Sequence, residues 1–255
     1  PSGYNAAVAD GSGESCSACG GSGWRIESRD GHEVAVQCAC RSSRQRGALV
    51  RAAGIPARYA HCTIDGFEIW EPGDPTLVQA RRRTREFVDA WAKRPPERGL
   101  LFMGAVGCGK THLAVASLHE LVRTRGLRGV YANFIELVQA LQLSFDGGGR
   151  SRDEILTPVI EADLLVLDEL GAGKMTPWVQ DLLYFVINSR YMTKRVTLCT
   201  TNFSDFAPSG DERLRTVETL SDRIGAALRS RLHEMCDLID IRCGDFRARR
   251  GRRSG

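Results

Sequence analysis

Residues 104–111 carry the most specific chemical pattern in the sequence, reading Gly-Ala-Val-Gly-Cys-Gly-Lys-Thr. Two glycines separated by four residues and followed by lysine and serine or threonine form the pattern of loops that hold nucleotide phosphates. Glycine lets the backbone curl so that its N–H groups face phosphate oxygens, and a following helix adds the positive end of its dipole. We therefore expect Lys110 to bind the β- and γ-phosphates and the Thr111 hydroxyl to bind Mg²⁺. The expected nucleotide-binding set is Gly104, Ala105, Val106, Gly107, Cys108, Gly109, Lys110, Thr111 and His112.

Two adjacent acids, Asp168 and Glu169, follow the apolar run at 164–167. A run this apolar predicts a strand that is buried on both faces, as in a parallel sheet. A carboxylate at the end of such a strand can hold Mg²⁺ directly or through water, so we assign Asp168 to this metal together with Thr111. Glu169 can then polarise the attacking water. The structural alternative, two acids that merely end a strand, does not explain their pairing with a glycine loop.

Three further polar side chains are candidates for contact with a γ-phosphate. Asn202 follows a predicted strand at 196–199 that should lie beside the Asp168 strand, where the amide can orient the water. A turn-forming asparagine is the alternative. Arg223 and Arg231 lie in a stretch predicted as one helix, 217–235, and either can reach the γ-phosphate of a neighbouring subunit. We favour Arg231 for this role, and a plain surface arginine is the alternative for each.

Four cysteines near the start of the chain have the spacing of a metal site. Cys16 and Cys19 are separated by two residues, and Cys38 and Cys40 by one. Four soft thiolates favour zinc in a tetrahedral site, and glycines after the first pair let backbone amides turn toward the sulfurs. An iron–sulfur cluster or a redox pair remains open, and His32 can replace one ligand. The odd total of nine cysteines does not indicate a disulfide framework, so we expect a reducing, cytoplasmic setting.

Hydrophobic periodicity predicts the elements that position these residues. From residue 63 onward, short apolar runs alternate with longer amphipathic stretches, which favours an α/β fold with a parallel sheet flanked by helices. A loop is expected at the glycines of 147–149. The five cysteines outside the N-terminal cluster fall on core elements and are expected to pack there. The predicted strands are 100–103, 130–132, 164–167, 196–199 and 238–241, and the predicted helices are 111–125, 134–145, 177–191 and 217–235.

Charge and composition divide the chain into four parts. We expect a zinc-binding module with a mobile start at 1–45, a basic linker at 46–62, an ATPase domain at 63–247 and a disordered basic tail at 248–255. The net charge is only +4, but positive charge is carried by 31 arginines against four lysines. Arginine clusters at 41–58, 81–85 and 247–253 favour a polyanionic partner, with solvated surface charge as the alternative. No stretch reaches the roughly 18 apolar residues of a membrane helix, so no membrane partner is expected.

Beyond the glycine loop, the sequence contains several short motifs, which lie at 55–59, 63–67, 164–171, 178, 187–191, 200–202 and 230–236. Together they are similar to those of one bacterial ATPase family, which joins replicative helicase loaders of the DnaC type with IstB-type transposition helper ATPases, and they do not separate the two. The resemblance covers roughly residues 55–247 and implies an AAA+ core without an appended helical lid. It also implies self-assembly with ATP bound, and contact between single-stranded DNA and the segment 133–146, where Phe134 and Phe145 can stack on bases or pack in the core.

Three functions are compatible with this resemblance. The first is ATP-dependent loading of a ring-shaped replicative helicase onto DNA, in which ATP drives assembly and hydrolysis drives release. The second is a transposition helper that assembles on double-stranded DNA and recruits a transposase. The third is a binding module in which ATP controls a partner contact with negligible turnover. The cysteine module favours the loader, because similar N-terminal modules on some loaders dock the helicase.

Overall fold

The computed structural model describes residues 16–29, 31–71, 73–145, 150–205 and 218–253. These residues form a two-stranded hairpin near the N-terminus and a five-stranded sheet flanked by helices. The expected mobile start at 1–15 and the expected glycine loop at 147–149 lie outside the described residues. No described helix is long and apolar enough to cross a membrane.

The described elements alternate as the periodicity predicts. The strands are β1 (Trp24–Arg29), β2 (His32–Gln37), β3 (Gly99–Gly104), β4 (Gly129–Asn133), β5 (Leu164–Asp168), β6 (Val196–Thr201) and β7 (Cys236–Ile241). The helices are α1 (Ala39–Ala52), α2 (Pro75–Ala90), α3 (Lys110–Arg125), α4 (Phe134–Phe145), α5 (Arg152–Glu161), α6 (Pro177–Met192), α7 (Leu220–Ile224), α8 (Ala226–Met235) and α9 (Phe246–Arg253). The predicted α/β class is therefore confirmed.

The larger sheet has the order β4-β5-β6-β3-β7, and each neighbouring pair is parallel. Every residue of β5 and β6 is buried, as expected for central strands that are covered by helices on both faces. Because β6 pairs with β5, the segment after β6 that holds Asn202 lies beside Asp168 at the carboxyl edge of the sheet. Ligands of open α/β sheets bind at this edge.

Two hydrophobic clusters fill the layers on opposite faces of the sheet. Side chains alternate along a strand, so Leu100 and Phe102 of β3 join one cluster, while Leu101 and Met103 join the other. Helices α2 and α3 cover the first face, and α4, α5, α6 and α8 cover the second. The cysteines expected to pack in the core are all buried: Cys62, Cys108, Cys199, Cys236 and Cys243.

Arg190 is a fully buried charge that ties α6 to the end of α5. Its guanidinium donates to the carbonyls of Val159, Ile160 and Ala162 at 2.9 Å each, and to the Val196 carbonyl at 2.6 Å. The last carbonyls of a helix have no partner within it, so this arginine takes the place of water there. Burial lowers the pKa of Arg190 to about 10.

The prediction of one continuous helix at 217–235 is wrong. The described part forms α7 and α8, which are separated at Gly225, whose φ is +84°. A residue with a side chain rarely adopts this backbone conformation, so glycine permits the sharp change of direction. The strand predicted at 238–241 begins earlier, at Cys236.

The two basic segments are more ordered than their composition predicts. Helix α1 crosses the boundary at 45 between the expected module and the expected linker, and its Leu49 and Val50 pack against the core of the ATPase domain. The expected disorder at 248–255 is wrong through Arg253, because α9 continues to that residue. Within the described residues, α9 follows β7.

Candidate nucleotide site and cysteine cluster

The glycine loop curls between the end of β3 and the start of α3, as the motif predicts. Three of its glycines have positive φ angles: 143° at Gly104, 81° at Gly107 and 94° at Gly109. At Gly107 a Cβ atom would lie only 1.9 Å from Asp245 Oδ1, and at Gly109 it would lie 2.5 Å from the Phe67 ring. Glycine is therefore required here both by backbone conformation and by the close approach of neighbours.

Lys110 begins α3 and turns its side chain back over the loop. Its Nζ donates to the carbonyls of Gly104 and Ala105 at 2.9 and 2.7 Å. Cys108 Sγ lies 3.6 Å from the same Nζ, and burial raises the pKa of this thiol. The ammonium group is thus held inside the curl of the loop, where phosphate oxygens can replace the carbonyls as acceptors.

Asp168 ends β5 with a carboxylate that three hydroxyl groups surround. It accepts hydrogen bonds from Thr111 Oγ1 at 2.8 Å, from Thr200 Oγ1 at 2.6 Å and from the Tyr131 hydroxyl at 2.8 Å. The contact with Thr111 brings together the two residues assigned to Mg²⁺. Hard oxygen ligands of this type suit Mg²⁺. Sequence reasoning missed Tyr131, which lies on the neighbouring strand β4 and follows no local motif.

Glu169 has an unusual backbone and a defined partner. Its φ is +58°, a left-handed conformation that is uncommon for a residue with a side chain. The Asn133 amide donates to Glu169 Oε2 at 3.0 Å. Asn133 Oδ1 also accepts from the backbone N–H groups of Ile135 and Glu136 at the start of α4. One asparagine, which the sequence analysis did not select, therefore connects Glu169 to the N-terminus of α4.

A cavity of about 530 Å³ lies over the glycine loop, and Glu169, Thr200 and Asn202 line one side of it. His112 also lines it, with Nε2 2.8 Å from the Thr63 carbonyl oxygen, and burial lowers the pKa of this histidine. A larger cavity of about 750 Å³ is lined by Asp237 but by no residue of the glycine loop. The smaller cavity is also lined by residues that were not predicted as site residues: Arg58, Tyr59, His61, Cys62, Gly66, Phe67, Glu68, Trp70, Thr200, Phe246 and Arg247.

The start of α9 lies against the glycine loop and lines part of the cavity. The Phe246 N–H donates to the Gly107 carbonyl at 3.2 Å, and the Phe246 ring packs on Trp70 at a centroid distance of 5.8 Å. The Arg249 guanidinium lies over the Trp70 indole and donates to the Trp70 backbone carbonyl. These contacts hold α9 on the glycine loop, and Arg247 lines the cavity.

The two arginines predicted for trans contact lie outside the lining of this cavity. Arg223 Nε donates to the Gly171 carbonyl at 3.0 Å, and its other end binds Gly173. The Arg231 guanidinium lies over the Tyr184 ring at 4.4 Å and near Tyr191 at 5.9 Å. One buried nitrogen of Arg231, Nη1, has no hydrogen-bond partner among the described residues.

Tyr131→Phe should weaken the binding of magnesium, and it should leave nucleotide binding measured without magnesium unchanged. The hydroxyl orients Asp168, and burial with the nearby Asp168 charge raises the pKa of Tyr131, so the group stays a donor. Loss of such a supporting contact typically reduces metal affinity by about 10-fold or more. The magnesium concentration for half-maximal ATP hydrolysis should rise accordingly. Tyr191→Phe, which removes a hydroxyl bound to Glu234, is the control, and equal curves for both variants would contradict the assignment.

The four N-terminal cysteines converge around one point. Their sulfurs all lie within 4.8 Å of one another, with Cys16 and Cys38 3.8 Å apart and Cys19 and Cys40 3.4 Å apart. Tetrahedral zinc with Zn–S bonds of about 2.3 Å separates its sulfurs by about 3.8 Å, so the set fits zinc. The Gly23 N–H donates to Cys19 Sγ at 3.3 Å, as the glycine pattern predicts. His32, on the hairpin, is not part of the described cluster.

Removing the metal should unfold the cysteine module and leave the ATPase domain folded. The described hairpin of β1 and β2 has no buried residue of its own, so a metal must supply most of its folding energy. We expect one zinc per chain by elemental analysis, and loss of that zinc in Cys16→Ser. His32→Ala is the control and should keep the metal. Iron with inorganic sulfide in the purified protein would contradict the zinc assignment.

The sequence pattern of the family described as IstB-like ATP binding protein matches residues 7–254. The chain belongs to this family. As a member of the IstB-like family, it is an AAA+ P-loop ATPase, and the resemblance drawn from the motifs is confirmed.

Relatives of this IstB-like protein include a phage-element protein and a helicase loader. The phage-like element PBSX protein XkdC of Bacillus subtilis (strain 168) is 27% identical over 238 residues, which cover 90% of this chain and 82% of XkdC. The replicative helicase loader DnaC of Escherichia coli (strain K12) is 26% identical over 180 residues, 70% of either chain. A crystal structure of the DnaC helicase loader is 30% identical, with a TM-score of 0.61, and the match covers 73% of this chain and 99% of that one.

Proposed function

We propose that this ATPase loads a ring-shaped replicative helicase onto DNA, with ATP binding driving assembly and hydrolysis driving release. The observation that carries the proposal is the match to the DnaC helicase loader, which extends over 99% of that chain at 30% identity. The cytoplasm is the expected site of this activity. The alternative is a transposition helper, which the name of the matching IstB-like family favours.

In this proposal ATP and Mg²⁺ occupy the cavity over the glycine loop. Lys110 leaves the carbonyls of Gly104 and Ala105 to bind the β- and γ-phosphates. Thr111 and Asp168 hold Mg²⁺, and Glu169 acts as the base that polarises water. These roles are supported by the 2.8 Å contact between Thr111 and Asp168 and by the position of Glu169 on the cavity wall. Asn202, on the same wall, orients the water.

The exposed end of α4 is our candidate for contact with single-stranded DNA. Phe145 is 63% exposed and packs edge-on against Trp178, at a centroid distance of 5.9 Å, whereas Phe134 is buried in the core. Two exposed rings on adjacent helices can stack on bases without reading their sequence. The Asn133 amide, at the start of α4, also donates a hydrogen bond to Glu169. A DNA strand bound at this helix can therefore influence ATP hydrolysis.

Capture of partners in the ATP-bound state tests the proposed function. A tagged Glu169→Gln chain, supplied with ATP and Mg²⁺ in extract of the source cell, should retain the replicative helicase, and Lys110→Ala should not retain it. Purified helicase should then be loaded onto circular single-stranded DNA in the presence of ATP. Capture of a transposase without helicase, or failure of purified helicase to load, would contradict the loader and favour the alternative. Deleting 1–37, which leaves α1 intact, should abolish helicase capture if the cysteine module docks the helicase.

Arg231→Ala should leave ATP binding unchanged and reduce turnover by about 10³-fold in assemblies, because a trans arginine stabilises charge in the transition state. This variant removes the guanidinium with the unpartnered nitrogen. The measurement compares turnover at protein concentrations below and above assembly, and Arg223→Ala serves as the comparison. Turnover that falls equally at both concentrations would contradict a role in trans.

A further inference from the structure

Helix α1 presents an arginine-rich face between the cysteine module and the ATPase domain. It carries Arg41, Arg44, Arg46 and Arg51, and all four side chains are exposed. Residues 34–64 contain five arginines and no acidic residue. The helix is also held firmly, because Leu49 and Val50 on its other side pack against the core of the ATPase domain.

Three of these arginines share one side of the helix. At about 100° per residue, Arg41, Arg44 and Arg51 fall within an arc of about 80°. The same geometry places Leu49 and Val50 on the opposite side and separates Arg41 from Arg51 by about 15 Å along the axis. We call Arg41, Arg44 and Arg51 the arginine face of α1.

The arginines of α2 provide a contrast within the same chain. Arg81, Arg82, Arg83 and Arg85 each lie within 3.9 Å of a carboxylate oxygen of this chain. The cluster at 81–85 is therefore neutralised internally, which agrees with its interpretation as ordinary surface charge.

No arginine of α1 forms such an ion pair with any described residue. Arg41 lies over the Trp24 ring at 5.2 Å, and Arg44 donates to the Gly21 carbonyl at 3.4 Å. Both partners are neutral. These contacts orient the guanidinium groups toward the cysteine module and leave them without a carboxylate partner among the described residues.

We propose that the arginine face of α1 binds the phosphodiester backbone of DNA. One DNA strand has a phosphate every 3.4 Å of helix axis, so a face about 15 Å long spans about four phosphates. Guanidinium groups match phosphate oxygens with paired N–H donors. A membrane is not the occupant, because the apolar residues of α1 that could enter lipid are packed on the ATPase domain. The inference rests on the proposed function, since it adds a DNA surface to that of α4.

The salt dependence of DNA binding tests this surface. The zinc-loaded full chain and an Arg41→Gln/Arg44→Gln/Arg51→Gln variant are titrated against short fluorescent DNA over a range of salt concentrations. Each phosphate contact contributes about 0.7 to 0.9 to the slope of log affinity against log salt, so the variant should lose about 2 to 3 in slope. The loss should be the same for DNA of different sequence. An unchanged slope would overturn the proposal, and this holds even if the variant no longer binds a protein partner.

A matched variant separates local contact from net charge. Arg82, Arg128 and Arg242 are 61%, 62% and 77% exposed, and each already pairs with an acid of its own chain. Changing these three to glutamine alters net charge by the same amount and should leave the slope nearly unchanged. Equal losses in both triple variants would overturn the proposal.

Folding and function are controlled separately. If the first triple variant loses zinc, Arg44→Gln/Arg51→Gln decides the question, because it keeps the contact of Arg41 with Trp24. This double variant should lose about 1.4 to 1.8 in slope. If the wild-type chain does not load helicase but the triple variant still loses the expected slope, the proposed function is wrong and the arginine face of α1 remains supported. Normal loading with an unchanged slope would remove only the surface.

Discussion

Glu169→Gln should reduce ATP turnover by at least about 100-fold, the usual effect of removing a general base, and should leave ATP binding intact. Glutamine keeps the size of the side chain and an oxygen that can accept from Asn133, so the site should stay folded. The variant can no longer take a proton from water. Bound ATP should therefore persist and hold the chain in its assembled state. The measurement is steady-state phosphate release together with nucleotide retention after gel filtration.

Glu136→Gln is the matched control for this experiment. Glu136 is an exposed acid three residues after Asn133 and does not line the cavity. Its variant should hydrolyse ATP like the wild type. Normal hydrolysis by Glu169→Gln would remove the assignment of the base and would favour a module that uses ATP only as a binding signal.

Lys110→Ala should abolish nucleotide binding at ordinary concentrations. The ammonium group can make two charge-assisted hydrogen bonds to phosphate oxygens, each contributing about 2 kcal/mol. Their loss corresponds to about 10³-fold weaker binding. The chain should stay folded, because the hydrogen bonds of Lys110 Nζ to the described residues are all to its own loop. Titration with a fluorescent ATP analogue measures the effect.

The control for Lys110→Ala is Lys93→Ala, which removes an exposed lysine that does not line the cavity over the glycine loop. This variant should bind the analogue with wild-type affinity. If Lys110→Ala bound the analogue as tightly as Lys93→Ala, the phosphates would have to lie elsewhere than on residues 104–111.

Local pattern was enough to predict the five strands of the larger sheet, but not the hairpin strands β1 and β2 or the start of β7 at Cys236. The apolar run before Asp168 forms β5, and the strand before Asn202 pairs with it as predicted. These features depend on burial and on short motifs, which a sequence displays directly. The break at Gly225 also has a local signal, because a glycine within a stretch of helical periodicity can end one helix and begin another.

The remaining part of the site depends on contacts between distant segments. Tyr131 and Asn133 reach the acid pair because β4 pairs with β5, and neither belongs to a recognisable motif. Phe246 and Arg247 come to the glycine loop through packing on Trp70. Their arginine-rich surroundings predicted disorder, since composition does not reveal one anchoring aromatic contact. Only tertiary structure places Tyr131 and Asn133 at the acid pair, and Phe246 and Arg247 at the cavity.

Calorimetric titration of the zinc-loaded wild-type chain with ATP in the presence of Mg²⁺ tests the central claim most directly. The account predicts saturable heat with one nucleotide per chain, and weaker binding when Mg²⁺ is withheld. A folded protein, supplied with magnesium, that takes up no adenine nucleotide would contradict the assigned site and every function proposed from it.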